Sequence, residues 1–203
     1  MITGLTGKTY DKLQLNAGVF LAGFDHSGIA DAQAMKAALR AAISDESVCL
    51  GATRGGGIFQ CTPSLRSIEA DGARIACAGG MINDGWTVKL SATLLETTPA
   101  SFQRVFGAAD VTTDGARTTV VPRFSICGED YIPRLCWAGD TSAGFVLIEL
   151  DNALNVSGAA FTFTDKGEGT LPVEFQAHMS DPQNQDAAPC RVIFISGVSA
   201  QEV

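Results

Sequence analysis

Basic charge is scarce and scattered in this chain: 14 Lys and Arg stand against 22 Asp and Glu, and no two basic residues are adjacent. A protein that grips nucleic acid concentrates cations where phosphates sit, so a net charge of −8 disfavours tight DNA or RNA binding. The six cysteines, at 49, 61, 77, 127, 136 and 190, form no Cys-x-x-Cys and no paired Cys/His cluster. That spacing defeats a zinc site or a disulfide framework. Val48-Cys49-Leu50, Ile126-Cys127 and Leu135-Cys136-Trp137 are settings for thiols that act as small apolar residues. No apolar run approaches about 18 residues, and MITGLTGKTYDK lacks the apolar centre of a signal peptide. Neither membrane spanning nor secretion is expected, and a reduced cytosol fits the cysteines best.

Catalytic groupings are missing too. The glycine-rich run Gly51-Ala52-Thr53-Arg54-Gly55-Gly56-Gly57 lacks the Lys-Ser/Thr pair of a phosphate loop and leads into Ile58-Phe59-Gln60-Cys61, a strand pattern rather than a helix start. It reads as a glycine-permitted bend with Arg54 exposed. His26 and His178 are the only histidines, no G-x-S-x-G elbow occurs, and His178 falls in an alternating strand. Asp25, Asp31, Asp110 and Asp114 do not fit a calcium loop, and Glu168 with Glu174 lacks a paired metal motif. The expectation is therefore no enzyme, no cofactor and no metal.

What the chain has in quantity is alternation. Trp86, Val88, Leu90, Ala92 and Leu94 alternate with Thr87, Lys89, Ser91 and Thr93, the signature of a strand with one buried and one polar face. Phe161 and Phe163, then Leu171 to Met179, predict a hairpin turning at Lys166-Gly167-Glu168-Gly169. Further strands are expected near 13–24, 58–62, 64–70, 73–78, 119–127, 132–138, 144–150 and 190–195, with Asp71-Gly72 as a hairpin turn and 108–118 as a polar loop. Ala34, Met35, Ala38, Leu39, Ala42 and Ile43 recur at helical spacing behind Asp31, predicting a helix within 30–45. A second short helix is expected at 99–106, with Thr98 as cap, Pro99 at its first position and Gly107 at its end. The sum is a mainly β chain with flanking helices (α+β), one domain over 1–203, built as a β-sandwich or open barrel. Hydrophobic content of 46% with only 18% charge hints that other copies cover part of the surface.

Three stretches carry a resemblance: Leu15-Asn16-Ala17-Gly18-Val19-Phe20; Leu50 to Phe59 with Thr62 to Gly72; and Leu150 to Asn155 (LDNALN) followed by Phe161 to His178 (FTFTDKGEGTLPVEFQAH). In order and combination they resemble the tail tube proteins (major tail proteins) of long-tailed phages and prophages. The resemblance implies a structural virion protein with a tail-tube β-sandwich, whose hexameric rings stack into a hollow tube that conducts DNA into the host. It implies homo-oligomerisation, and contact with a tape measure protein, a tail terminator and baseplate or distal tail proteins. Double-stranded DNA would pass without specific binding, and no membrane partner is implied. Localisation would be the virion tail, after assembly in the host cytoplasm. On that reading Arg54, Gly55, Gly56 and Gly57, with Lys166, Gly167, Glu168 and Gly169, are the subunit-interface candidates. Thr87, Lys89, Ser91 and Thr93 would face the lumen. The inner tube of a contractile tail, tailocin or secretion device is the near alternative. A small-ligand β-barrel or enzyme is the rival from another class.

Overall fold

The computed structural model describes residues 4–7, 9–72, 74–183 and 186–197. Two kinds of strand build it, and the sequence pattern separates them. Strands buried on one face alternate, as in β3 (Met81–Leu94), where Val88, Leu90, Ala92 and Leu94 are buried and the residues between them are not. Strands sandwiched on both faces read as continuous apolar runs. Such are β1 (Val19–Ala22), β6 (Ile132–Thr141) and β7 (Gly144–Asn155). In β1, Phe20 enters one core while its neighbour Leu21 enters a second core on the opposite side.

All pairing is antiparallel. β1 pairs β6, β6 pairs β7, and the first half of β7 pairs β9 (Cys190–Ser196). The end of β7 leaves that layer: Leu154 and Asn155 pair instead with Gln176 and Phe175 of β8 (Leu171–Gln176). The change of partner occurs around Asn152, whose φ of +43 is a left-handed conformation that Asn tolerates better than a branched residue. β8 then pairs β3, and β3 pairs the 15-residue β2 (Thr53–Ser67), which ends the sheet. Phe20, Leu135, Leu150 and Ala153 from one layer meet Leu90, Leu94, Val173 and Phe175 from the other in the main core.

The first helix, α1 (Ala32–Ile43), covers the outside of the β1-β6-β7-β9 layer. Asp31 caps it, its carboxylate accepting the Ala34 N–H at 2.8 Å. Met35, Leu39 and Ala42 pack on Leu21, Cys136, Leu147 and Ile195, so this part of the stripe covers a sheet, whereas Ala34 and Ile43 of the expected stripe stay exposed. The second helix, α2 (Pro99–Phe106), has Thr98 accepting the Ser101 N–H at 3.1 Å, Pro99 in its first turn, and Gly107 at φ +77 behind it. Buried Asn155 fastens α2 to β8: its amide donates to the Val105 carbonyl, and its oxygen accepts the Glu174 N–H at 2.9 Å.

Several sequence expectations need correction. Residues 108–118 are no loop: β4 (Ala109–Asp114) and β5 (Arg117–Pro122) form a separate hairpin turning at Gly115-Ala116. The strand expected over 119–127 accordingly stops at Pro122, and the first strand begins only at Val19. Pro63 does not divide two strands but sits at a register shift inside β2. No strand covers the described residues of 73–78, so Asp71-Gly72 lies in a long connection between β2 and β3. Phe161 to Thr164 do not pair with 171–179 beyond one bridge, Thr162 to Thr170. Occupancy is part of the reason: β8 has β3 along one edge, and the end of β7 takes Phe175 and Gln176 on the other.

Candidate functional site

Four features carry the surface chemistry, and the first joins the two groups of interface candidates. Gly55, Gly56 and Gly57 lie inside β2 rather than in a loop. Thr53 stands opposite Leu94 while Gly57 stands opposite Ala92, so the strand bulges between them. Gly55 and Gly56 both take φ +73, and a Cβ on Gly57 would stand 2.4 Å from the Ser91 carbonyl oxygen and 2.6 Å from Phe20. Glycine is required at these positions for two different reasons, backbone hand and close approach. The bulge carries Arg54 to the 166–169 turn, where its guanidinium pairs with the Glu168 carboxylate. Glu168 is held below the ordinary carboxylate range, first by its own backbone N–H and then by Arg54. The turn itself places Lys166 at φ +58, and Gly169 packs under Phe161, so a Cβ there would meet the ring at 2.7 Å. Gly167 is likewise closed in, beside the Thr164 hydroxyl. Sequence positions more than a hundred residues apart thus form one continuous polar rim.

The second feature is the outer face of the β2-β3-β8 layer. Thr87 is exposed and Lys89, Ser91 and Thr93 are half-buried, all on the side away from the main core. Register places Gln60 and Gln176 on either side of Lys89, and Ile58 and Glu174 on either side of Ser91. Lys89 Nζ donates to Glu174 Oε1 at 2.7 Å, so the one cation of the candidate lumen row is paired with an acid from the next strand.

The third feature is the far part of the β2–β3 hairpin. Core packing ends near Cys61 and Val88, yet the two strands run on to Ser67 and Met81. Leu65, Ile68, Ile75, Met81 and Trp86 on this arm are each about half exposed or more. Arg66 and Asp84 brace it, with Nε 2.7 Å from Oδ2. The sequence marked Thr62 to Gly72 as a strand region carrying the resemblance but placed no interface candidate on this arm, although the apolar residues scattered between Thr62 and Trp86 were its visible signal.

The fourth is a cleft of about 560 Å³ between the layers, beside the glycine bulge, walled by Phe20, Phe59, Leu90, Trp137 and Ile148 with Gln14 and Asn16 at its mouth. Among the described residues no ionisable side chain lines it.

The remaining chemistry-bearing residues are spent on structure. His26 lies 2.6 Å from Oε1 of Glu149, a buried carboxylate that Arg191 also reaches at 3.2 Å. His178 Nδ1 is 3.1 Å from the Asn152 carbonyl and meets Tyr131 edge-on. Asp25 is pushed down to about 2, chiefly by the Ser27 hydroxyl and N–H and then by Arg134. Asp110 binds Arg123 at 3.0 Å. Among the described residues no three His, Cys, Asp or Glu side chains converge on a metal position, and no helix is long and apolar enough to cross a membrane. No protein-family model and no curated protein matches this chain.

Proposed function

We propose that this chain is a tail tube subunit, a structural virion protein of a long-tailed phage or prophage whose hexameric rings stack into the DNA conduit. The observation that carries the reading is the β2–β3 arm: a strand pair that outruns its own core, keeps large apolar side chains in water, and borders a sheet edge with no partner strand among the described residues. A lone subunit gains nothing from that arrangement. Copies arranged in a closed ring and stack bury the arms and pair the edges together, and many moderate contacts then add up. The Arg54–Glu168 rim lies beside the same edge strand and would register neighbouring copies. The Thr87, Lys89, Ser91, Thr93 face would line the lumen, where the Lys89–Glu174 pair leaves no free cation on that row to hold passing phosphate.

Tape measure, terminator and distal tail proteins are the partners this role implies, with no cofactor and no catalysis. The inner tube of a contractile tail shares every feature used here. The apolar cleft beside Trp137 favours a second reading, a small-ligand carrier. An apolar fluorescent probe that quenches Trp137 with saturation would support it.

Negative-stain electron microscopy of the purified chain over a wide concentration range tests the tube. Rings or hollow rods are expected. Particles no larger than a monomer at every concentration would overturn the proposal.

A further inference from the structure

Cys61 stands opposite Val88 in the β2–β3 register, and Cys190, the first residue of β9, stands opposite Leu150. Val88 and Leu150 belong to the same core, and both cysteines pack against it, one from each layer. Among the ionisable neighbours of the Cys190 thiol, Cys61 acts on it most strongly. Neither is fully buried, so a small reagent can reach them. β2 ends the run of strands on one side, and β9 pairs only with β7 among the described strands. Cys61 and Cys190 therefore sit on strands of different layers, β2 and β9, that do not pair with each other among the described strands. Cys136 is fully buried, whereas Cys77 and Cys127 sit on the exposed surface.

We propose that Cys61 and Cys190 are a reversible redox pair whose disulfide staples the β2 edge to the β9 edge. The oxidant is a low-molecular-weight disulfide of the glutathione type. One protein thiolate attacks it, breaking its S–S bond, forming a mixed disulfide and releasing one small thiol. The second protein thiolate then displaces the other small thiol as the Cys61–Cys190 bond forms. Two protons and two electrons leave the cysteines, and the oxidant departs as two thiols. Burial first, then the neighbouring Cys61, pushes the Cys190 thiol up to about 11, so exchange accelerates as pH rises through the weakly alkaline range. A reducing cytosol keeps the dithiol, and an oxidising exterior closes the staple. Closing a loop on the order of 130 residues restricts the unfolded chain strongly. The inference goes beyond the tube reading and stands whether or not the chain assembles.

The full chain is incubated at pH 8.5 with oxidised glutathione or with dithiothreitol, alkylated, digested without reduction and mapped by mass spectrometry. A linked peptide pair containing Cys61 and Cys190 is expected. A thermal midpoint higher by on the order of 5 °C, reversed by dithiothreitol, should accompany it. Cys61→Ser and Cys190→Ser should each remove that rise. Separate glutathione adducts on the two cysteines, or linkage confined to Cys77 and Cys127, overturns the proposal. The mapping of the unaltered chain decides the matter even if a variant fails to fold.

Discussion

Replacing Leu65 and Trp86 with Ser asks whether the arm is an assembly surface. Leu65 is 56% exposed and Trp86 46% exposed, so neither makes more than about half of its possible apolar contacts within the subunit. Covering the free half of each side chain in a neighbour contributes about 1–1.5 kcal/mol apiece, since full burial of a large apolar side chain is worth about 1.5–3 kcal/mol. On the same scale the half already covered within the subunit is worth about 1–1.5 kcal/mol apiece, so the double variant also loses on the order of 2–3 kcal/mol of folding stability. The pair together should raise the concentration at which tubes appear roughly 100-fold, because each 1.4 kcal/mol is a factor of about ten. Ultracentrifugal pelleting against total concentration reads that threshold directly, with circular dichroism and chemical denaturation to verify the fold. An unchanged threshold in a fully folded double variant refutes the role given to the arm. A threshold that moves only because the variant unfolds is recognised by the denaturation curve and is answered by testing each single variant.

Two other outcomes follow from the packing. Gly57→Ala should destabilise the subunit by about 1–3 kcal/mol, because the added Cβ meets a backbone carbonyl and a core ring, while Gly55→Ala meets open space and costs only its left-handed backbone, about 1–2 kcal/mol; equal and negligible losses in urea denaturation would contradict both. Burial, aided by the Glu149 charge, pushes the Cys136 thiol from an ordinary 9.0 up to about 12, so its stabilising contribution is complete below pH 9 and is lost as pH rises toward 12. At about 1.4 kcal/mol per pH unit that span amounts to about 4 kcal/mol, and Cys136→Ala should flatten this part of the stability–pH curve measured against the unaltered chain. Parallel curves would show the thiol is not the titrating group.

How far the sequence could be read depended on whether a local signal had a single structural meaning. The helix at 99–106 was legible because cap, proline, apolar stripe and terminal glycine are all local, and Thr98, Pro99 and Gly107 occupy those roles. The Val88 to Leu94 alternation was legible for the same reason. β4 was missed, and β5 was read two residues late and five too long, because their hairpin is largely exposed on both sides. Without a buried face the period of two loses its apolar half, although Asp114-Gly115 was a turn signal of the kind read at Asp71-Gly72. The opposite failure occurs at Phe161 to Thr164, where alternation was present but one edge of the expected partner carries β3 and the other is partly taken by the end of β7. Alternation fixes which face a residue shows and says nothing about its neighbour. Contacts such as Arg54 with Glu168 follow only once distant strands are in place. One missed signal was readable: Glu149 sits within the apolar run Phe145 to Leu150, and a carboxylate buried in a two-faced strand requires partners, here His26 and Arg191.

If the chain assembles as proposed, the edge of β2, which has no partner strand among the described residues, must pair without inviting aggregation. A long, flat, unpaired strand recruits any extended peptide. β2 is long but not flat: it bulges between Thr53 and Gly57, shifts register again around Pro63, and carries Arg54 and Arg66 in ion pairs at its two ends. Pro63 has no N–H to donate, and each bulge breaks the regular spacing a foreign strand would need. An edge interrupted in this way accepts only a surface shaped to its irregularities. On the proposed tube reading that surface is another copy of the same chain, and the interruptions that weaken the strand would make its pairing selective.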